Sequence, residues 1–216
     1  MSLILHYHPL SSFCWKVLIA LYENDTRFEP KLINLGDAAS RAAFAALWPM
    51  AKMPVLEDRA RVRTLPETSI IIDYLDLHYP GPIRFVPEDP DSARTVRLWD
   101  RICDNYLQGP MQKIVGDRLR PDGEKDPFGV AEARGSLARA MDLFERQVSE
   151  RRGTTGDDFT LADCAAAPAL FYADKVMPIA QSHPNAQALL ERLKARPSFT
   201  RVLAEAEPYF QYFPAG

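Results

Sequence analysis

The sequence lacks the long apolar runs, basic clusters and leader pattern that mark several large classes of protein. None of its 216 residues belongs to an apolar run approaching the roughly 18 residues that cross a bilayer. The N-terminus has no basic region followed by an apolar stretch and a cleavage site, which argues against a secretory leader. Lysine and arginine form no long run, and the formal net charge is -3 at pH 7. We therefore expect a cytoplasmic protein with neither a membrane nor a nucleic-acid partner.

Cysteine is equally scarce. The chain has only Cys14, Cys103 and Cys164, an odd number at wide separations. That pattern excludes a disulfide framework and offers no zinc-binding spacing, so we predict no metal site. Cys103 and Cys164 are expected to be small buried apolar side chains.

The residues that are present predict a globular core, since 47% of the chain is hydrophobic. Leu3–Tyr7 is apolar enough for a buried strand, Ser11 or Ser12 can cap the helix that follows, and residues 26–34 alternate like a second strand. A strand, helix and strand in this order predict a parallel pair with a right-handed crossover. The next segments are predicted as a helix over 38–47, two short antiparallel strands over 52–57 and 59–65, and a helix from Glu67.

Prolines punctuate residues 80–90, and no comparable strand pattern follows them. A long helix is predicted over 92–119, disturbed near Gly109 and Pro110. Further helices are predicted over 130–151, 161–175, 185–195 and 198–206. Thr160 and Asp163 have the spacing of a capping box at the start of one of them. The second part of the chain is therefore expected to be entirely helical.

The start of the first helix is the best candidate for chemistry. A hydroxyl there lies beside unpaired backbone N–H groups and the positive end of the helix dipole, which together favour a bound anion. Ser11 acting only as a helix cap is the simpler interpretation, and the sequence around it does not decide between the two.

Three features together resemble the cytosolic glutathione S-transferase family. Ser11-Ser12-Phe13-Cys14-Trp15-Lys16-Val17 is similar to the first helix of the serine-type classes (theta, phi, zeta and delta). Met53-Pro54-Val55-Leu56, followed by Thr64 and then Glu67-Thr68, looks like the second motif, and Phe159-Thr160-Leu161-Ala162-Asp163 resembles the third. The resemblance implies an α/β thioredoxin-like domain over 1–80, a linker over 81–90 and an all-helical domain over 91–216, usually as a homodimer.

The resemblance also implies a set of glutathione-binding residues. Ser11 would donate a hydrogen bond to the glutathione sulfur, with Ser12 as the alternative. Met53, in a cis peptide bond with Pro54, would offer its backbone to the tripeptide, and Glu67 and Thr68 would bind the γ-glutamyl end. Lys52 is either a partner of the glycyl carboxylate or a solvated surface side chain.

One hydroxyl and a helix end suffice for the chemistry that the resemblance implies. A thiol of pKa about 8.5 is only about 3% thiolate at pH 7, and lowering that pKa by about two units takes about 2.7 kcal/mol. The helix end contributes roughly 0.3–1 kcal/mol and a hydrogen bond to a charged group roughly 1.5–3 kcal/mol. Cys14 would be the second position of a redox pair whose first position is serine, so disulfide exchange is not expected and packing is the favoured role.

A hydrophobic electrophile would bind between the two domains, against the long helix. The candidate contacts also fit an apolar core stripe and are Trp99, Cys103, Tyr106, Met111 and Tyr172.

The leading hypothesis is thus a cytoplasmic detoxifying transferase that conjugates glutathione to an electrophile. A zeta-like cis-trans isomerase is an alternative, but Phe13 and Lys16 replace the Cys and Arg of that class's pattern. A second alternative is a non-catalytic regulator on the same fold, like the stringent starvation proteins. Ser11, Glu67 and Thr68, which are all present, argue against that alternative.

Overall fold

The computed structural model describes residues 2–34 and 36–214. The strands are β1 (Leu3–Tyr7), β2 (Glu29–Leu32), β3 (Val55–Asp58) and β4 (Arg63–Leu65). The first three α-helices are α1 (Ser12–Glu23), α2 (Ala38–Leu47) and α3 (Thr68–His78). The later ones are α4 (Pro90–Ile102), α5 (Gly109–Arg118), α6 (Pro127–Val148), α7 (Leu161–Val176), α8 (Pro184–Lys194) and α9 (Pro197–Ala206). A π-helical segment over Cys103–Gln108 joins α4 to α5, and 3-10 turns occupy Asp122–Glu124 and Glu207–Tyr212.

The four strands form one mixed sheet in the order β2-β1-β3-β4. β1 pairs in parallel with β2 and antiparallel with β3, with Leu5 opposite Leu56 in the second pair. This is the thioredoxin-like arrangement that the resemblance implies, and it contains the predicted parallel pair of β1 and β2 and the predicted hairpin of β3 and β4. β2 is shorter than the predicted strand over 26–34. In the hairpin turn, where the sequence has no glycine, the exposed Val62 takes a positive φ of 53°.

The later helices, α4–α9, form the second part of the fold, with α7 at its centre. Residues 161–170 are all buried, and the alanines among them let α1, α4 and the π-helical segment pack closely on this helix. The helix predicted over 130–151 spans Pro127–Val148. It begins earlier than predicted because Asp126 caps it at the Gly129 N–H (2.8 Å), with Pro127 in its first turn. No helix of the described residues is sufficiently long and apolar to cross a bilayer.

The predicted disturbance near Gly109 and Pro110 is a widened turn. Pro110 has no N–H to donate to the helix, and the Gly109 N–H donates instead to the Asp104 carbonyl, five residues back. The widening changes which side chains of the long helix share a face after residue 103.

The structure has the capping box at Thr160 and Asp163. The buried Asp163 carboxylate accepts hydrogen bonds from the Thr160 N–H (2.9 Å), the Thr160 hydroxyl (3.0 Å) and the Thr154 N–H (2.7 Å). The Asp163 side chain thus accepts hydrogen bonds from backbone N–H groups both at the start of α7 and in the loop before it, and it holds that loop in place.

We expect Asp163→Ala to lower the free energy of unfolding by about 2–4 kcal/mol, because it removes a cap and leaves buried donors unpaired. Urea denaturation followed by far-ultraviolet circular dichroism measures the change. Asp157→Ala is the matched control, since Asp157 is an exposed acid of the same loop, and its effect should stay within about 0.5 kcal/mol. Equal effects of the two substitutions would contradict this role.

Candidate functional site

A cleft of about 860 Å³ lies between the sheet layer and the later helices. It brings together every residue that the resemblance predicts to bind glutathione. Those residues are Ser11, Ser12, Lys52, Met53, Pro54, Glu67 and Thr68. They come from the starts of α1 and α3 and from the loop before β3, so three separate elements converge on one site.

Ser11 is the N-cap of α1, and its hydroxyl oxygen accepts a hydrogen bond from the Cys14 N–H at 3.3 Å. This bond uses a lone pair and leaves the hydroxyl hydrogen available to a further acceptor. Capping the helix and donating to an anion are therefore compatible roles for this residue. Ser12 begins the helix beside it, is 5% exposed and also lines the cleft.

The loop that leads to Ser11 is held by its backbone. The Ser11 N–H donates to the His8 carbonyl at 3.0 Å, the Trp15 indole to the Pro9 carbonyl at 2.5 Å, and the Tyr172 hydroxyl to the Leu10 carbonyl at 2.8 Å. Trp15 is fully buried. Its indole packs on an aromatic cluster composed of Phe171, Tyr172, Phe199 and Phe210. Anchors from α1 and α7 therefore set the position of Ser11.

Both parts of the second motif, Met53–Pro54 and Glu67–Thr68, face the same cleft. The Met53–Pro54 peptide bond is cis, as the resemblance implies. Glu67 precedes α3 with a positive φ of 67° and makes no side-chain cap, so its carboxylate is not used by the helix start. Thr68 opens the helix and is 6% exposed, whereas Lys52 is exposed. The start of α3 thus offers the cleft free N–H groups, a hydroxyl and a carboxylate.

Cys14 does not line the cleft. Its side chain is fully buried, and burial raises the pKa of the thiol to about 12. A hydrogen bond with Ser11 lowers the pKa but does not offset the burial. The thiol stays protonated at physiological pH, which agrees with the packing role expected from the sequence.

Beside the cleft lies a buried ionic network that the sequence analysis missed. Lys16 is 1% exposed; its ammonium forms an ion pair with Asp100 and donates to Asp104 Oδ2 at 2.8 Å and to Ser69 Oγ at 3.0 Å. Arg101 contacts both carboxylates, at 2.8 Å and 2.5 Å. Two positive and two negative charges balance, and the network joins α1 and α3 to α4 and the π-helical segment.

Two members of this network also line the cleft, namely Arg101 and Asp104. Burial raises the pKa of Asp104, and Lys16 opposes that rise. Burial disfavours the charged form of Arg101, but Asp100 and Asp104 outweigh it and raise the pKa of the guanidinium. Asp104 Oδ1 is buried and has no hydrogen-bond partner among the described residues.

The structure brings two of the five predicted contacts of a second substrate to the cleft. Met111 and Tyr172 line the cleft, and the other three candidates do not. Trp99 is buried edge-on against Phe144 (5.9 Å between ring centroids), and Cys103 is fully buried among the helices. Tyr106 lies in the widened turn with 60% of its surface exposed to solvent.

These three corrections have one physical reason. An uninterrupted α-helix would align the candidates within residues 92–119 in one stripe, but the first part of that stripe, Trp99 and Cys103, faces the helical core rather than the cleft. The widened turn then displaces the residues that follow, and Val115 and Leu119 beyond it line the cleft. The start of α1 with the loop before it and the C-terminal segment contribute further apolar side chains, which are Leu10, Phe13, Tyr212 and Phe213.

We expect Lys16→Met to lower the free energy of unfolding by about 3–5 kcal/mol, because it leaves two buried carboxylates with Arg101 as their remaining cation. Lys113→Met is the matched control, since Lys113 and Asp126 form an exposed pair at 3.6 Å, and its effect should stay within about 1 kcal/mol. Urea denaturation checks both variants. Losses of the same size would show that the buried network does not stabilise the fold.

Comparison with known proteins extends these observations. Sequence models described as the N-terminal and C-terminal domains of glutathione S-transferase match residues 5–83 and 127–192. Glutathione S-transferase 3 of Zea mays is 29% identical over 203 residues, covering 91% of this chain and 90% of its own. Glutathione S-transferase F13 of Arabidopsis thaliana is 26% identical over 210 residues, covering 94% and 95%. A glutathione S-transferase of Methylobacterium radiotolerans, solved in complex with glutathione sulfonate, is 28% identical with a TM-score of 0.82, covering 99% and 95%.

Proposed function

We propose how this chain, which belongs to the glutathione S-transferase family, carries out the transferase reaction. It binds glutathione along the cleft with the sulfur at the start of α1, and it transfers the thiolate to a small hydrophobic electrophile. The observation that carries this proposal is the Ser11 hydroxyl, which caps α1, lines the cleft and keeps its hydrogen free to donate.

The first step is ionisation of the glutathione thiol, whose proton is released to solvent. Ser11 donates a hydrogen bond to the thiolate, and the N-terminus of α1 adds its positive potential. Neither group has to change its own protonation state. Together they supply the roughly 2–4 kcal/mol that bring the thiol pKa to near neutrality.

The γ-glutamyl end lies at α3 in this proposal. The N–H groups and hydroxyl at Thr68 bind its carboxylate, and the uncapped Glu67 accepts from its ammonium group. The Met53 backbone pairs with the tripeptide like a neighbouring strand, and the exposed Lys52 meets the glycyl carboxylate.

The electrophile occupies the apolar end of the cleft, beside Met111 and Tyr172. A new carbon–sulfur bond forms, and the leaving group departs with its electron pair or, in an addition, the electrons move onto the electrophile. Isomerisation is the less favoured alternative, because Phe13 and Lys16 depart from the zeta pattern. A non-catalytic role is disfavoured by the polar groups that line the cleft.

Assembly and location are part of the same proposal. We divide the chain into a glutathione-binding domain over 1–80, a linker over 81–90 and a helical domain over 91–216, and we expect a cytoplasmic homodimer with a role in detoxification. Exposed apolar side chains on α3 and α4 support the dimer and include Ile70, Leu77 and Leu98.

Ser11→Ala should raise the pKa of enzyme-bound glutathione by about one to two units, because the hydrogen bond to the thiolate is lost. The thiolate absorbs in the ultraviolet, so titrating the glutathione complex with base measures this pKa directly. Ser12→Ala is the matched control and should leave the pKa unchanged. If only Ser12→Ala raises it, the donor is Ser12; if neither does, the proposed ionisation mechanism is wrong.

A further inference from the structure

His8 lies at the beginning of the loop that leads into α1, and it lines the cleft beside Leu10 and Ser11. Its ring Nδ1 accepts a hydrogen bond from the Leu10 N–H at 3.2 Å. A nitrogen that accepts in this way carries no hydrogen, so the neutral ring has its hydrogen on Nε2. The loop backbone therefore selects one tautomer of His8.

The Nε2–H of that tautomer is a donor without a partner. No residue of the described ranges 2–34 and 36–214 accepts a hydrogen bond from it. The Leu10 N–H binds Nδ1. Nε2 is the other ring nitrogen and is separated from Nδ1 by one ring carbon. Tyr209 packs edge-on against the ring, with 5.9 Å between centroids. The side chain is only partly buried, and His8 lines the cleft.

Burial lowers the pKa of His8, which keeps the ring neutral at physiological pH. A cation beside the sulfur would stabilise the thiolate before the reaction as well as during it. A neutral N–H group stabilises mainly the negative charge that develops in the transition state. An interaction that is stronger in the transition state than in the ground state lowers the reaction barrier.

We propose that His8 donates a hydrogen bond from Nε2 to the electrophile, at an oxygen on which negative charge develops as the thiolate attacks. The inference rests on the proposed function and deepens it. A carbon–sulfur bond forms, the π bond at the attacked carbon breaks, and its electron pair moves onto the nitro or carbonyl oxygen, while the hydrogen stays on Nε2. The pair then returns as the leaving group departs or, in an addition, takes a proton from solvent. The substrate class this favours is an electrophile activated by a nitro or carbonyl group.

Two structural roles compete with this proposal, and three variants separate them. His8→Phe keeps a ring against Tyr209 but has neither nitrogen. His8→Asn keeps an acceptor for the Leu10 N–H but has no donor at the position of Nε2. His8→Gln places an amide N–H near that position. A donor role predicts loss in the first two variants and recovery in the third.

The test measures stabilisation of the charged adduct directly. 1,3,5-Trinitrobenzene and glutathione form a coloured anionic adduct that has no leaving group, so its dissociation constant reports on charge held by nitro oxygens. We expect binding of the adduct to weaken about 10- to 100-fold in His8→Phe and His8→Asn, as for one hydrogen bond to a charged group, and to recover in His8→Gln. Binding of S-methylglutathione, which is uncharged at sulfur and has no nitro group, should be the same in all four proteins.

Each other outcome overturns the inference. Equal adduct affinity in all four proteins would show that His8 does not contact the developing charge. Retention in His8→Asn with loss in His8→Phe would assign His8 to positioning the loop, and failure of His8→Gln to recover would exclude the donor role. If His8→Phe does not fold, the comparison of Asn with Gln decides alone. Failure of the unchanged protein to bind S-methylglutathione would instead refute the proposed function.

Discussion

The buried ammonium of Lys16 is the constraint on which the arrangement of the cleft depends. An isolated charge this deep would be too costly, so the side chain requires acidic partners within reach. Those partners are Asp100, on α4, and Asp104, in the π-helical segment that follows it. The pairing holds α1 and α4 in one relative position, and Arg101 and Asp104 of the same network line the cleft.

The position of Ser11 follows from the same helix. α1 carries Lys16 on one side and Trp15 on another, and the Trp15 indole reaches back to the Pro9 carbonyl, so the helix fixes the loop from which it starts. Tyr172 adds an anchor from α7. A small polar residue is thereby held by large buried ones, and its geometry is set by the core rather than by the exposed loop.

Local signals made much of this predictable. The strand, helix and strand at the N-terminus, the serine cap and the Thr160 capping box can be predicted because each depends on residues only a few positions apart. The partners of Lys16 cannot, since they lie over eighty residues away; the signals were a lysine among buried positions and two aspartates four residues apart. Tyr106 was misplaced because a period of 3.6 residues was assumed through a turn that does not have it.

Because of the widened turn before Pro110, the two parts of one long helix present different faces to the same neighbouring elements. One additional residue in a turn rotates everything after it by about 100°, given 3.6 residues per turn. Asp100 can therefore form an ion pair with Lys16 of α1, while Met111, in the continuation of the same helix, faces the cleft. A proline that interrupts regular hydrogen bonding in this way lets one part of a helix stabilise the fold while the other part lines the binding cleft.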